Sequence, residues 1–239
     1  MSKKHGTVKI AVMGNFNPKQ NPANGQTIKT KIITSELSSQ FEDVLTVDTS
    51  GNKIATLIKT PFLCLKALKR SKNVLILPAQ NGLRLIAPIL AILNSLFHRK
   101  LHYVVIGGWL PQFIKQHKYL IKHLKKFEGI YVETAIMKSS LSEHGFNNIY
   151  VMPNCKKLDI LSESELVYNN TAPLKLCTFS RVMKQKGIED AVNAVKAINE
   201  KHGKTVFSLD IFGQVDPDQT EWFDNLQQAF PDYITYGGV

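Results

Sequence analysis

The stretch that decides the fold is LKLCTFSRVMKQKGIEDAVNAVKAI, residues 174–198. An apolar run, LKLCTFS, leads into a short basic turn, and a helical pattern of apolar residues begins after Gly187. A strand, a turn and a helix in this order begin a βαβ unit of a parallel sheet. Ligands of open α/β sheets bind beyond the carboxyl ends of the strands, where this turn falls. The stretch therefore predicts both a parallel sheet and a binding turn.

The same alternation extends along the chain in both directions. Six earlier apolar runs predict strands at VKIAVMG, DVLTV, NVLILP, LHYVVIGG, GIYVE and NIYVMP. Two later runs, FSLDIFG and YITYGGV, predict further strands, with helices at about 187–202 and about 219–230. The polar segment CKKLDILSESELVYNNTAP interrupts the alternation and is typical of a connection between domains.

The predicted fold class is α/β, with two Rossmann-like domains. The first covers residues 1–155, a linker covers 156–172, and the second covers 173–239. A doubly wound domain is built from two βαβαβ halves, and the second segment holds the strands of only one half. We therefore expect the second domain to be incomplete in this sequence. The alternatives are that another chain supplies the remaining half, or that the segment is a small three-stranded unit that leans on the first domain.

Composition narrows the class of protein. The chain has 239 residues, of which 44% are hydrophobic, so it can bury a core. Its three cysteines are scattered, which argues against a disulfide framework and a structural zinc site, and its histidines show no metal-ligand spacing. The apolar run before Gly14 is too short for a signal peptide. These features predict a cytoplasmic protein without a metal.

Charge is distributed unevenly along the sequence. Residues 1–160 carry 23 Lys and Arg against 8 Asp and Glu, whereas residues 161–239 carry 7 against 11. Between Thr49 and Phe127 there are 14 basic residues and no acidic residue. This segment should attract the phosphates of a lipid, a nucleotide or a nucleic acid, although a soluble basic surface is the alternative. No nucleic-acid motif accompanies the charge, so we expect no nucleic-acid partner.

The basic turn offers the groups that bind a diphosphate. Arg181 supplies a planar fork that matches phosphate oxygens, and Lys186 supplies a mobile point charge. The following helix presents free N–H groups at its N-terminus, and Gly187 allows a close approach of the backbone. The alternative is a solvated turn that Gly187 merely terminates, and the pair of charges alone does not decide between the two.

Together with VMPNC before it and FSLDIFGQV after it, the stretch resembles the donor-domain entry of glycosyltransferase family 4. These are retaining nucleotide-sugar transferases with the two-domain GT-B fold, and the match covers roughly residues 148–239. The resemblance implies that Arg181, Lys186 and Gly187 bind the diphosphate of a nucleotide-sugar donor, and that no cofactor or metal is needed. The first domain would then be the acceptor domain.

The same resemblance implies a departure. Family members carry a glutamate pair separated by seven residues further along the donor domain, and this sequence ends before that point. The catalytic residues are therefore left unassigned. An alternative to an active transferase is a catalytically incomplete fragment that binds a lipid-linked acceptor or a partner transferase.

Two loops of the first domain are candidates for the cleft and the acceptor side. The loop after the first strand lacks the G-x-G-x-x-G fingerprint of nicotinamide enzymes, and Asn24 and Gly25 match the family's glycine pair only in part. Asn-Gly is also a common turn. Gly107, Gly108 and Trp109 follow a buried strand, and Trp109 would either stack on a sugar ring or pack beneath the next helix.

A basic segment predicts contact with a membrane. PQFIKQHKYLIKHLKKFEG, residues 111–129, places five lysines along one side of a predicted amphipathic helix: Lys115, Lys118, Lys122, Lys125 and Lys126. The apolar segment before it, LRLIAPILAILNSLFHRK, is too short to span a bilayer of roughly 30 Å. We therefore predict a peripheral protein on the inner face of the cell membrane. Its partners would be a nucleotide-sugar, an anionic membrane surface and a lipid-linked saccharide of a bacterial surface polymer.

Overall fold

A computed structural model of the chain describes residues 10–16, 25–154, 160–166 and 171–239, apart from the side chains of Lys53 and Ala55. The chain divides into two compact units, Met1–Leu158 and Asp159–Val239. Of the candidate site residues predicted from the sequence, Asn24 lies outside the described residues.

The first unit is a parallel sheet with helices connecting its strands. The strands are β1 (Ile10–Gly14), β2 (Val44–Asp48), β3 (Asn73–Ile76), β4 (Lys100–Val104), β5 (Gly129–Val132) and β6 (Ile149–Val151). The helices are α1 (Gly25–Gln40), α2 (Lys53–Arg70), α3 (Gln80–Phe97), α4 (Leu110–Gln116), α5 (Tyr119–Leu124) and α6 (Ala135–Ser142). The strand order is β2-β1-β3-β4-β5-β6, and every pair is parallel. The six strands predicted from the sequence are confirmed.

The central strand β1 shows why the apolar runs form this sheet. Ala11, Val12 and Met13 are fully buried, as expected for a strand covered on both faces. Gly14 ends the strand beneath α1, and a Cβ atom there would lie 2.7 Å from Cγ2 of Thr30. The absence of a side chain at Gly14 therefore allows α1 to approach the end of the strand closely.

The basic segment after β4 is two short helices rather than the single helix predicted. The first, α4, ends at Gln116, because His117 leaves helical geometry with φ −124° and ψ 57°. The His117 ring stacks on Phe113 at 4.2 Å between centroids, and its Nδ1 lies 3.1 Å from the Phe113 carbonyl oxygen. The second helix, α5, begins at Tyr119. The prediction of one amphipathic helix over residues 111–129 was therefore wrong, because the backbone leaves helical geometry at His117, which the period of the apolar residues does not indicate.

The second unit contains three parallel strands in the order β7-β8-β9. They are β7 (Leu174–Phe179), β8 (Phe207–Phe212) and β9 (Ile234–Gly238), connected by α7 (Ile188–His202) and α8 (Thr220–Gln228). This agrees with the predicted strands and helices. Its core brings Ile188 and Val192 of α7 together with Ile211 of β8 and Phe223 of α8. Within the described residues β7 is an edge strand, and its Leu176 and Phe179 are exposed.

None of the helices within the described ranges is long and apolar enough to cross a membrane.

Candidate functional site

The basic turn of the second unit is paired with the loop that follows β8. Val182 and Val215 form an isolated parallel bridge. The N–H of Val182 donates to the Gln214 carbonyl at 2.8 Å, and the N–H of Asp216 donates to the Val182 carbonyl at 3.2 Å. These bonds hold the two loops side by side beyond the carboxyl ends of their strands, which is where α/β sheets bind ligands.

Arg181 is oriented by a carboxylate that the sequence analysis missed. Its Nε donates to Oδ1 of Asp216 at 2.7 Å, and its Nη2 donates to Oδ2 of the same residue. The side chain of Asp216 is nearly buried at 9% exposure, whereas that of Arg181 is 65% exposed. One edge of the guanidinium is therefore fixed by Asp216, and its remaining N–H groups face solvent. The planar fork is not wholly free for phosphate, but the group is held in one orientation.

Lys186 and Gly187 complete the turn. Lys186 ends a 3₁₀ turn over Lys184–Lys186, and Gly187 has φ 72°, a left-handed conformation that favours glycine. Gly187 is therefore required by the backbone that starts α7. Lys186 is exposed and forms no ion pair among the described residues. Lys184, in contrast, lies over the Trp222 ring at 5.8 Å from its centroid.

Two carboxylates in the first turn of α7 would repel an anion bound at the basic turn that precedes the helix. Glu189 and Asp190 both lie there, and both are exposed. Oε2 of Glu189 accepts a hydrogen bond from Nε1 of Trp222 at 3.2 Å. Because acidic groups offset the positive end of a helix dipole, the turn offers an anion two side-chain cations and little help from the helix.

The bond between Arg181 and Asp216 should contribute to stability. We expect Asp216→Ala to lower the free energy of unfolding by about 1 to 2 kcal/mol, which is the value of a charge-assisted pair reduced for the exposure of Arg181. Urea unfolding followed by Trp fluorescence measures this loss. Asp218→Ala removes an exposed carboxylate from the same loop and should change stability by less than about 0.5 kcal/mol. An equal loss in both variants would contradict the assigned role of the pair.

The first unit has a cavity of about 680 Å³ at the carboxyl ends of its strands. It lies where the chain leaves β1, β2 and β3, beside the point at which the strand order reverses. Its polar lining includes Gln26, Thr49, Ser50, Asn81, Arg84 and Tyr119. Arg84 is the single charged residue among the described residues that line it, and it is exposed. The cavity therefore suits a polar ligand with negative charge.

The predicted acceptor-side residues lie on the same edge of the sheet but not in one site. Gly25 begins α1, and a Cβ atom there would meet nothing within 4 Å, so the backbone is open to solvent. Its neighbour Gln26 lines the cavity, whereas Gly107, Gly108 and Trp109 do not. Asn24 was predicted here too but lies outside the described residues.

For Trp109 the sequence left two alternatives open, stacking on a sugar ring and packing beneath the next helix. Its Nε1–H donates to the Ile106 carbonyl at 2.7 Å, and its ring meets Phe113 edge-on at 5.1 Å between centroids. The side chain is half-buried against the core. It is therefore a packed residue with one part of its ring exposed, rather than a free stacking platform.

A buried ion pair at the same edge was missed by the sequence analysis. Nζ of Lys29 on α1 lies 2.8 Å from Oε1 of Glu133, which follows β5, and 3.5 Å from the Val105 carbonyl oxygen after β4. Both side chains are largely buried. The pair ties α1 to the ends of two strands. Glu133 could have been noticed because it follows a predicted strand, but nothing in the sequence indicated Lys29.

The five predicted membrane lysines are exposed on and around α4 and α5. None of them forms an ion pair with a described residue. Lys125 lies over the Phe146 ring at 5.8 Å from its centroid. Their contact with a membrane stays a prediction. No group of three His, Cys, Asp or Glu side chains in the described part of the chain is arranged to hold a metal.

Several solved structures share this architecture. HepE (Alr3699) of Anabaena, solved with UDP and glucose, matches with a TM-score of 0.62 at 14% identity, over 97% of this chain and 69% of HepE. The lipopolysaccharide outer core galactosyltransferase WaaB matches with 0.59 at 11% identity, over 97% of this chain and 68% of WaaB. TarM of S. aureus matches with 0.54 at 14% identity, over 77% of this chain and 36% of TarM. No protein-family model and no curated protein matches the sequence.

These likenesses show the fold. The chain shares the Rossmann-like α/β fold of HepE and WaaB, with a parallel sheet of six strands and a second of three. It spans 69% of HepE, 68% of WaaB and 36% of TarM. At 11% to 14% identity the likeness carries the fold and not the substrate.

Proposed function

We propose that the protein takes part in transferring a sugar from a nucleotide-sugar to a lipid-linked or polysaccharide acceptor, with retention of configuration. The observation that carries the proposal is Arg181, a guanidinium held in one orientation by Asp216 beyond the end of a parallel strand, in a chain with a GT-B-type fold. Retention rests on the resemblance of residues 174–198 to glycosyltransferase family 4.

The chemistry needs positive charge at the leaving group. When the bond between the sugar and the diphosphate breaks, negative charge grows on the diphosphate, and groups aimed at that charge lower the barrier. Arg181 and Lys186 would supply this charge, the first as an oriented hydrogen-bond donor and the second as a mobile cation. Gly187 would keep the turn in the shape that places them on one loop.

The acceptor would bind in the cavity of the first unit. Its polar lining suits a saccharide, and Arg84 suits the phosphate that joins a saccharide to a lipid carrier. Gly25 would adjoin this site through its neighbour Gln26, whereas the loop of Gly107, Gly108 and Trp109 would lie outside it on the same edge of the sheet. A partner chain would pair with β7, whose outer edge has no strand partner among the described residues.

The test is binding and transfer with defined donors. The purified chain should bind UDP or GDP weakly in a calorimetric titration, because Glu189 and Asp190 oppose the anion. Incubation with UDP-glucose or GDP-mannose and a polyprenyl-diphosphate saccharide should then give a product of retained anomeric configuration. If no nucleotide binds at millimolar concentration, the donor role is wrong and the binding-module alternative replaces it.

A further inference from the structure

Helix α2 exposes an apolar surface that the packing of the first unit leaves uncovered. Its core side is formed by Thr60, Cys64 and Leu68, which are buried. On its outer side four large apolar side chains are between 58% and 75% exposed: Ile54, Leu57, Ile58 and Phe62. They recur at helical spacing, so they form one continuous stripe, which we call the α2 surface. Exposed apolar groups in one stripe mark an interaction site more often than scattered ones do.

Lysines accompany this stripe along the same helix. Lys59 precedes Phe62 by three residues and Lys66 follows it by four, so both are its neighbours on the helix, and both are exposed. The whole segment from Thr49 to Phe127 has no acidic residue. The acidic residues that flank it are engaged, since Asp48 accepts hydrogen bonds from Phe16 and Ser50, and Glu128 pairs with Lys100.

We propose that the α2 surface inserts into an anionic lipid bilayer. Amphipathic helices that lie in a membrane interface bury an apolar face and direct lysines toward the headgroups, and this helix has both features. The inference differs from the sequence-based prediction, which placed membrane contact on lysines alone, and it stands whether or not the chain transfers sugars.

The α2 surface adjoins the cavity of the first unit. Leu57 lines the cavity of the first unit, and so does Tyr119 at the start of α5, where Lys118 adjoins it. A bilayer seated on the α2 surface would therefore lie beside the mouth of this cavity. A ligand attached to lipid could enter the cavity without leaving the membrane.

A bilayer fits these residues better than the other candidate partners. A nucleic acid would use the lysines but would leave four apolar side chains in water. A second copy of the chain would bring the same lysine-rich helix against itself, because a two-fold interface joins the same patch on both subunits. An anionic bilayer satisfies the apolar stripe and the lysines together.

The test compares polar substitutions at matched exposed sites. The double variant Ile58→Gln and Phe62→Gln should bind vesicles containing anionic phosphatidylglycerol at least tenfold more weakly than the wild type, measured by co-sedimentation. Ile136→Gln is the matched control, because Ile136 lies 82% exposed on α6, and it should bind like the wild type. Both variants replace exposed residues, so near-wild-type circular dichroism is expected.

Fluorescence locates the contact directly. Phe62→Trp should keep vesicle binding, and the emission that it adds should be quenched by lipids brominated on their acyl chains. Emission added by Ile136→Trp should not be quenched. Quenching at residue 136 but not at residue 62 would overturn the proposal.

Two further outcomes would overturn it. One is that Lys118→Glu, Lys122→Glu and Lys125→Glu together abolish vesicle binding while the double glutamine variant binds normally, which would place the contact on α5 alone. The other is that the wild type is a dimer in sedimentation, the double variant is a monomer, and vesicle binding is equal in both. The surface would then be an interface between copies of the chain.

Discussion

Replacing Arg181 with Ala is expected to weaken the binding of UDP about 10- to 150-fold. This range corresponds to about 1.5 to 3 kcal/mol for hydrogen bonds to a charged group. The loss of UDP affinity should lie near the upper end of this range. Asp216 already holds the guanidinium of Arg181 in place, so little side-chain freedom is lost when the nucleotide binds. Isothermal titration of the wild type and the variant with UDP and with GDP measures it.

The other residues of the turn supply comparisons and a control. Lys186→Ala should also weaken UDP binding, by about tenfold or more. Arg181→Lys should not restore affinity, because an ammonium cannot keep both bonds to Asp216 and still face a phosphate. Lys184→Ala is the matched control, since Lys184 lies over the Trp222 ring, and it should change affinity less than about threefold. If all three alanine variants lose the same small factor, the turn is only a solvated basic loop.

The strands could be predicted because a parallel sheet buries both of its faces. Runs such as IAVM in β1 have no polar alternation, and this pattern with helical segments between the runs allows few other folds. The segment from Pro111 to Gly129 was predicted less well. Its apolar residues have the period of one helix, but the backbone leaves helical geometry at His117, whose ring stacks on Phe113, and no periodicity reveals this.

The sequence indicated the basic residues of the candidate site but not the carboxylate that orients one of them. Arg181 and Lys186 could be proposed because they lie on one turn after one strand. Asp216 lies 35 residues further on, and only the pairing of two loops brings it to Arg181. The same rule about carboxyl ends of strands would have drawn attention to Asp216, which follows the strand FSLDIFG.

Exposure was the property that the sequence could not supply for α2. Its residues are apolar around much of the helix, so the sequence does not tell which of them the sheet and α3 cover. The structure separates Cys64 and Leu68, which are buried, from Ile58 and Phe62, which are not. The basic charge of the segment was visible in the sequence, but the apolar surface beside it was not.

Replacing Gly213 with Ala should have the largest effect on stability, a loss of about 3 to 5 kcal/mol in the free energy of unfolding. Gly213 has φ 139°, and a Cβ atom there would lie 1.7 Å from the carbonyl oxygen of Ser180. That oxygen belongs to the backbone and cannot turn aside as a side chain could. Gly203→Ala is the matched control, because Gly203 also has a positive φ, 61°, but open space around it, so only the cost of a left-handed alanine, about 1 kcal/mol, is expected.

Because Ser180 directly precedes Arg181, any G213A protein that remains folded should also lose UDP affinity, measured by titration at low temperature. Equal urea midpoints for G213A and G203A would show that the loops after β7 and β8 do not pack as closely as described.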